Sequence, residues 1–272
     1  MIWQDGGTGR MNVNGTELEY GTWGPAPQDA PTIVMLHEGL GCVAMWRDFP
    51  AEISAATGFG VLAYSRAGYG QSDPAELPRP LDYMSVEAQQ VLGPVLDQAG
   101  IQRAVLLGHS DGATIAAIYA GSVSDQRVRG LILIAPHFFT EEMGLASIAA
   151  AREAFDTGDL AGRLAAYHRD PAATFSGWCD AWLDPGFKDW NVADAIDYLR
   201  IPTLAIQGRE DQYGTIAQIT EVETRSYAPV ETAILDDCRH APQFDQPTAT
   251  LTAIAEFTAR LERLEHAMPE MA

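Results

Sequence analysis

Short runs of residues that are apolar at nearly every position recur along the chain, alternating with longer stretches in which apolar residues return every three or four positions. The short apolar runs are residues 32–36, 60–64, 104–107, 130–134, 203–206 and 232–235. Strands without a polar face are buried on both sides, which is the condition of a parallel sheet held between layers of helices. Residues 44–56, 83–98, 113–119 and 248–264 carry the helical period between and after them. Near the start, Asn14-Gly15 interrupts residues 12–20, and this dipeptide favours the tight turn of a hairpin, so the first two strands are expected to be antiparallel. The pattern predicts the α/β class: repeated strand-helix units around a mostly parallel sheet.

One segment leaves the alternation. Residues 137–199 show no strand pattern; 143–155 and 160–168 are helical in character, followed by an aromatic-rich piece with Phe175, Trp178 and Trp182, then Phe187 and Trp190. So long an excursion between strands needs a role of its own. With no repeat, low-complexity tract or linker dividing the chain, residues 1–136 and 200–272 are expected to form one core, with 137–199 inserted into it.

Of the 272 residues, 47% are hydrophobic and 20% charged, which fits one large globular domain rather than a disordered chain. The formal net charge of −20 repels phosphate backbones and anionic lipid, so nucleic-acid and membrane partners are not expected. Cys42, Cys179 and Cys238 are widely spaced and form no C-x-x-C pair, which argues against a disulfide framework or a zinc site. Residues 1–10 lack a basic stretch followed by an apolar one, and no apolar run reaches the roughly 18 residues of a membrane helix, so a cytoplasmic location is expected.

The sharpest chemical signal is Gly108-His109-Ser110-Asp111-Gly112, set between the apolar run 104–107 and the alanine-rich stretch 113–120. A G-x-S-x-G at a strand-to-helix turn holds a serine on a tight, strained bend with its Oγ exposed. A serine hydroxyl attacks only when a base takes its proton, and an imidazole does so best when a carboxylate fixes its tautomer. Downstream, Gly208-Arg209-Glu210-Asp211 follows one strand-like run, and Asp236-Asp237-Cys238-Arg239-His240 follows the next. Asp211 competes as the acid with Glu210, Asp236 and Asp237.

These residues, in the order Ser110, Asp211, His240, resemble the α/β-hydrolase fold serine hydrolases over essentially the whole chain. Leu36-His37-Glu38-Gly39-Leu40-Gly41 is similar to that family's H-G-x loop, Ser65-Arg66-Ala67-Gly68-Tyr69-Gly70-Gln71-Ser72 to its R-G-x-G-x-S segment, and Gly208 to Asp211 to its acid turn, which favours Asp211. The resemblance implies an eight-stranded, mostly parallel sheet flanked by helices, with residues 137–199 as a helical cap over the serine. It implies Ser110 as nucleophile, His240 as base and Asp211 as its partner. The oxyanion donors would be the N–H of Asp111 and that of Gly39 or Leu40, since Glu38 stands where the family carries glycine. Trp178, Trp182 and His137, with Phe187 and Trp190 as further candidates, would line an apolar pocket.

The expected activity is cleavage of a carboxylic ester of a small to medium apolar or aromatic substrate through an acyl-enzyme, without metal or organic cofactor, by a monomer or homodimer. The same residues could open a lactone, hydrolyse a carbon-carbon bond, or serve a small-molecule receptor. His37 reads as a structural histidine of the donor loop, His109 as pointing away from the serine, and His168 as without a motif. Glu38 beside an oxyanion site is electrostatically awkward unless it meets an arginine, which is the expectation.

Overall fold

The computed structural model describes residues 1–267. Eight strands form one sheet in the order β1-β2-β4-β3-β5-β6-β7-β8. They are β1 (Gly7–Val13), β2 (Thr16–Trp23), β3 (Thr32–Leu36), β4 (Gly60–Tyr64), β5 (Ala104–His109), β6 (Val128–Ile134), β7 (Thr203–Gly208) and β8 (Val230–Leu235). Asn14 and Gly15, with φ of 52° and 89°, make the turn that pairs β1 with β2 antiparallel, and β2 also meets β4 antiparallel. All other pairs are parallel.

The apolar runs face both ways, as the pattern predicts. Val34, Leu36 and Leu106 pack with Leu96 and Ile115 on one side of the sheet. Ile33, Met35, Val105 and Leu107 pack with Phe49, Ile53 and Phe257 on the other. The helices are α1 (Phe49–Thr57), α2 (Tyr83–Val86), α3 (Gly93–Ala99), α4 (Asp111–Ser122), α5 (Glu142–Thr157), α6 (Leu160–Leu164), α7 (Pro171–Trp182), α8 (Ala217–Arg225), α9 (Pro242–Asp245) and α10 (Pro247–Ala267).

Several boundaries differ from the sequence pattern. The helix expected over 44–56 is broken at Arg47, whose φ is 55°, leaving a short 3-10 turn before α1. A π-type stretch, Glu87–Leu92, joins α2 to α3. The aromatic piece around Trp178 lies within α7, begun by Asp170, whose side chain accepts the N–H of Ala173. Between β6 and β7 the described residues hold helices and a single isolated bridge, Phe139 to Asn191.

From β3 the chain proceeds to β4 on one side, then crosses back to place β5 on the other, so the strand order reverses between β3 and β5. In open α/β sheets the crevice at the carboxyl ends of such a pair is where ligands bind. Here those ends carry His37 to Leu40 and Ser110. β3 and α4 are very close: a Cβ on Gly112 would lie 2.0 Å from the carbonyl oxygen of Leu36. Gly112→Ala is therefore expected to destabilise the fold by about 1–3 kcal/mol or more, because backbone rather than a movable side chain must give way. A thermal midpoint equal to the parent's would show that the two elements part without cost.

Candidate active site

Ser110 ends β5 and starts α4 with φ 53° and ψ −118°, a strained conformation for a residue with a side chain. Glycine on either side makes the bend possible. A Cβ on Gly108 would sit 2.2 Å from the backbone of Gly112, so the turn closes to a separation only glycines permit. The twelve-residue α4 directs its first N–H groups, including that of Asp111, toward the same point.

At the end of β7, Asp211 is 6% exposed, and at the far side of the β8 loop His240 approaches it. His240 Nδ1 lies 2.8 Å from Oδ2 and 2.9 Å from Oδ1. Tyr213 N–H donates to Oδ1 at 2.8 Å and Gln207 Nε2 donates to Oδ2 at 2.8 Å. Burial would raise the Asp211 pKa, but the hydrogen bond and charge attraction of His240 and the N–H of Tyr213 outweigh it, holding the carboxyl below its ordinary value. Two of the three other acids are engaged elsewhere: Glu210 accepts the N–H of Cys238 and Asp236 pairs with Arg209. Ser110 and His240 line one cavity of about 310 Å³, at the lower end of ligand-site volumes. Among the described residues the Ser110 hydroxyl makes no hydrogen bond to His240, and such bonds commonly tighten only around substrate.

The donor loop is held from below. His37 Nδ1 donates to the carbonyl of Glu38 at 2.7 Å, its Nε2 accepts the N–H of Arg66 at 3.1 Å, and Arg66 donates to the carbonyls of His37 and Glu38 at 2.6 and 3.1 Å. With its two terminal nitrogens on these carbonyls and 3.8 Å from Asp111, Arg66 forms no ion pair with the Glu38 carboxylate, which corrects the expectation that Glu38 meets an arginine. Instead Glu38 Oε2 accepts the N–H of Leu40 at 2.5 Å. That N–H is thereby occupied, leaving Gly39 as the loop's candidate donor. Burial raises the Glu38 pKa, partly offset by the Leu40 N–H and by Arg66.

A scan against family models matches the alpha/beta hydrolase fold over residues 31–177, more than half of the chain. The chain belongs to the alpha/beta hydrolase fold family. It is 26% identical over 228 residues to a non-heme chloroperoxidase of Streptomyces lividans, covering 73% of this chain and 80% of that one. It is 25% identical over 232 residues to a bifunctional esterase/perhydrolase of Acinetobacter calcoaceticus, with the same coverages. An enol-lactonase of Burkholderia xenovorans superposes with a TM-score of 0.73 at 20% identity, over 92% of this chain and all of that one. Hydrolase chemistry is what this membership supports.

In this hydrolase the remaining sequence candidates divide by packing. Trp178, Trp182 and His137 line the cavity; a Cβ on Gly39 would lie 2.1 Å from Trp178 Nε1, so only glycine lets the indole rest on the donor loop. Phe187 and Trp190 stack on each other, ring centroids 4.9 Å apart, and fasten the helices instead of lining the cavity. Trp182 donates to Tyr83 Oη at 3.0 Å, and Tyr83 to Asp111 at 2.5 Å, tying α7 to the residue after Ser110. His137 is pushed down to about 4 by burial and by His240, so its ring is neutral.

Two histidines without a sequence signal hold the site together. His109, pushed down to about 3 by burial and His240, donates from Nε2 to the His240 carbonyl at 2.7 Å. Gln243 donates to its Nδ1 at 3.2 Å. His168, on the turn before α7, accepts the N–H of Gly70 at 2.9 Å and donates to the carbonyl of Leu40 at 2.8 Å. Both bonds join residues more than ninety positions apart, which no local pattern discloses. Among the described residues no helix is long and apolar enough to cross a membrane, and no group of three or more His, Cys, Asp or Glu side chains is placed to hold a metal ion.

Proposed function

We propose that this protein is a serine hydrolase that cleaves carboxylic esters of small to medium apolar or aromatic substrates through an acyl-enzyme. The observation that carries the reading is the strained Ser110 sharing a cavity with a His240 whose Nδ1 is bound by the ionised Asp211. That bond makes Nδ1 the protonated nitrogen and leaves Nε2 free to take a proton.

In the first step Nε2 of His240 removes the Ser110 proton as Oγ attacks the carbonyl carbon, and the N–H groups of Asp111 and Gly39 receive the oxyanion. His240 returns the proton to the leaving alcohol. A water deprotonated by the same nitrogen then cleaves the acyl-enzyme. The helices over residues 137–199 act as a cap: Trp178 and Trp182 form an apolar roof, and a dry pocket strengthens the charge stabilisation beneath it. The esterase/perhydrolase and enol-lactonase names among its relatives are compatible with the same acyl chemistry.

A panel of p-nitrophenyl esters of increasing acyl length tests this. Turnover is expected to be highest for short acyl groups and to fall once the chain outgrows the cavity, and an alkyl phosphonate is expected to label Ser110 stoichiometrically. Labelling elsewhere, or none alongside undiminished turnover, would remove Ser110 from the reaction.

A further inference from the structure

Glu38 is a half-buried carboxyl lining the cavity that the acyl-transfer steps leave unused. Its Oε2 is committed to the N–H of Leu40, while Oε1 makes no hydrogen bond among the described residues. The side chain lines the cavity together with Ser110 and His240, and Oε1 is kept near Gly41, where a Cβ would lie 3.1 Å from it. Among the described residues no arginine or lysine makes an ion pair with it; the Arg66 guanidinium lies on the carbonyls of His37 and Glu38 and 3.8 Å from Asp111. Oε1 is an acceptor open to a largely apolar cavity, and a ligand donor reaching it would make a charge-assisted hydrogen bond, stronger than one between neutral groups. Position in the chain adds direction: Glu38 immediately precedes Gly39, so a carbonyl held by the Gly39 N–H has Glu38 as the neighbour of its flanking atoms.

Resting on the ester-cleaving reading above, we propose that Glu38 determines specificity by accepting a hydrogen bond from a donor on the substrate, a hydroxyl or protonated amine carried beside the scissile carbonyl. The preferred substrates are then hydroxyacyl or aminoacyl esters in an otherwise apolar frame, and acyl groups bearing a carboxylate there are rejected by like charge.

The test pairs 2-hydroxyacyl and 3-hydroxyacyl esters with their O-methyl ethers at alkaline pH, where the carboxyl is ionised, and compares the 2-aminoacyl with the 2-hydroxyacyl ester near neutral pH, below the roughly 7.7 at which an α-amine loses its proton. Parent enzyme is expected to favour a hydroxy ester over its ether by roughly 10- to 100-fold in kcat/KM, the range for losing a hydrogen bond to a charged group. In Glu38→Gln the amide oxygen can keep the Leu40 N–H while its NH2 replaces Oε1, so the preference is expected to vanish or turn toward the ether. A purely structural Glu38 would lower both rates and leave their ratio alone, and that outcome overturns the proposal. Preference for the amino over the hydroxy ester identifies an ammonium as the natural donor, the reverse a hydroxyl. Should no ester turn over, the functional reading falls by itself. The hydroxy and methoxy ketones of the same skeletons then decide on Glu38, since equal thermal stabilisation by both, in parent and E38Q alike, overturns the proposal.

Discussion

Ser110→Ala is expected to lower kcat for an activated p-nitrophenyl ester by about a millionfold if serine, histidine and aspartate act as a unit. In the proposed reaction the variant removes the atom that forms the acyl bond, so no covalent intermediate replaces it. What survives is catalysis by the oxyanion donors and by binding, about a thousandfold over water. The fold is not at risk: the Ser110 side chain makes no hydrogen bond among the described residues that alanine would lose, and alanine faces the same φ of 53° as serine. Unaltered circular dichroism and thermal midpoint beside a collapsed rate would assign the loss to chemistry. A rate within tenfold of the parent's would end the serine-nucleophile reading.

Asp211→Asn is the second large effect, about ten-thousandfold in kcat. Tyr213 N–H holds Oδ1, so the asparagine keeps its oxygen there and turns its NH2 toward His240 and Gln207. Gln207 accommodates this only at a cost, because turning its unpartnered Oε1 to the new amide takes Nε2 away from the Gly214 carbonyl it also bonds, at 3.0 Å. His240 can accept that NH2 only through an unprotonated Nδ1, which moves its proton to Nε2 and abolishes the base. The substitution also alters stability against pH, with a sign fixed by the lowered Asp211 pKa. A depressed carboxyl contributes stability above its unfolded-state pKa and loses it as pH falls through the folded-state value. The parent is therefore expected to weaken in that acid window and the asparagine variant to lack this component. Calorimetric midpoints across the acid range measure both, and superimposable curves would deny the Asp211–His240 pair any energetic role.

How much of this was legible in the sequence depends on how local each cause is. The sheet was readable because burial on both faces forces the residues of β3, β4 and β5 to be apolar or small, His109 at the end of β5 excepted. Ser110, Asp211 and His240 were readable as candidates because each lies in a polar turn after an apolar run. α8 was missed: Ala217–Arg225 buries only Gln218, Ile219 and Val222, and its threonines and β-branched residues carry little helical propensity. The arginine expected at Glu38 failed for a reason of competition, since Arg66 finds backbone carbonyls and Asp111 first. His109 and His168 were opaque because their partners, the carbonyls of His240 and Leu40, lie 131 and 128 residues away.

The His168 bond carries an implication for engineering. Since this imidazole clasps both the Gly70 turn and the Leu40 carbonyl, the inserted segment braces the loop proposed to hold the oxyanion as well as shaping the room above it. Chimeras that transplant another lid onto this scaffold without that clasp are expected to loosen the loop, so that on the proposed reading a change of selectivity also lowers the rate.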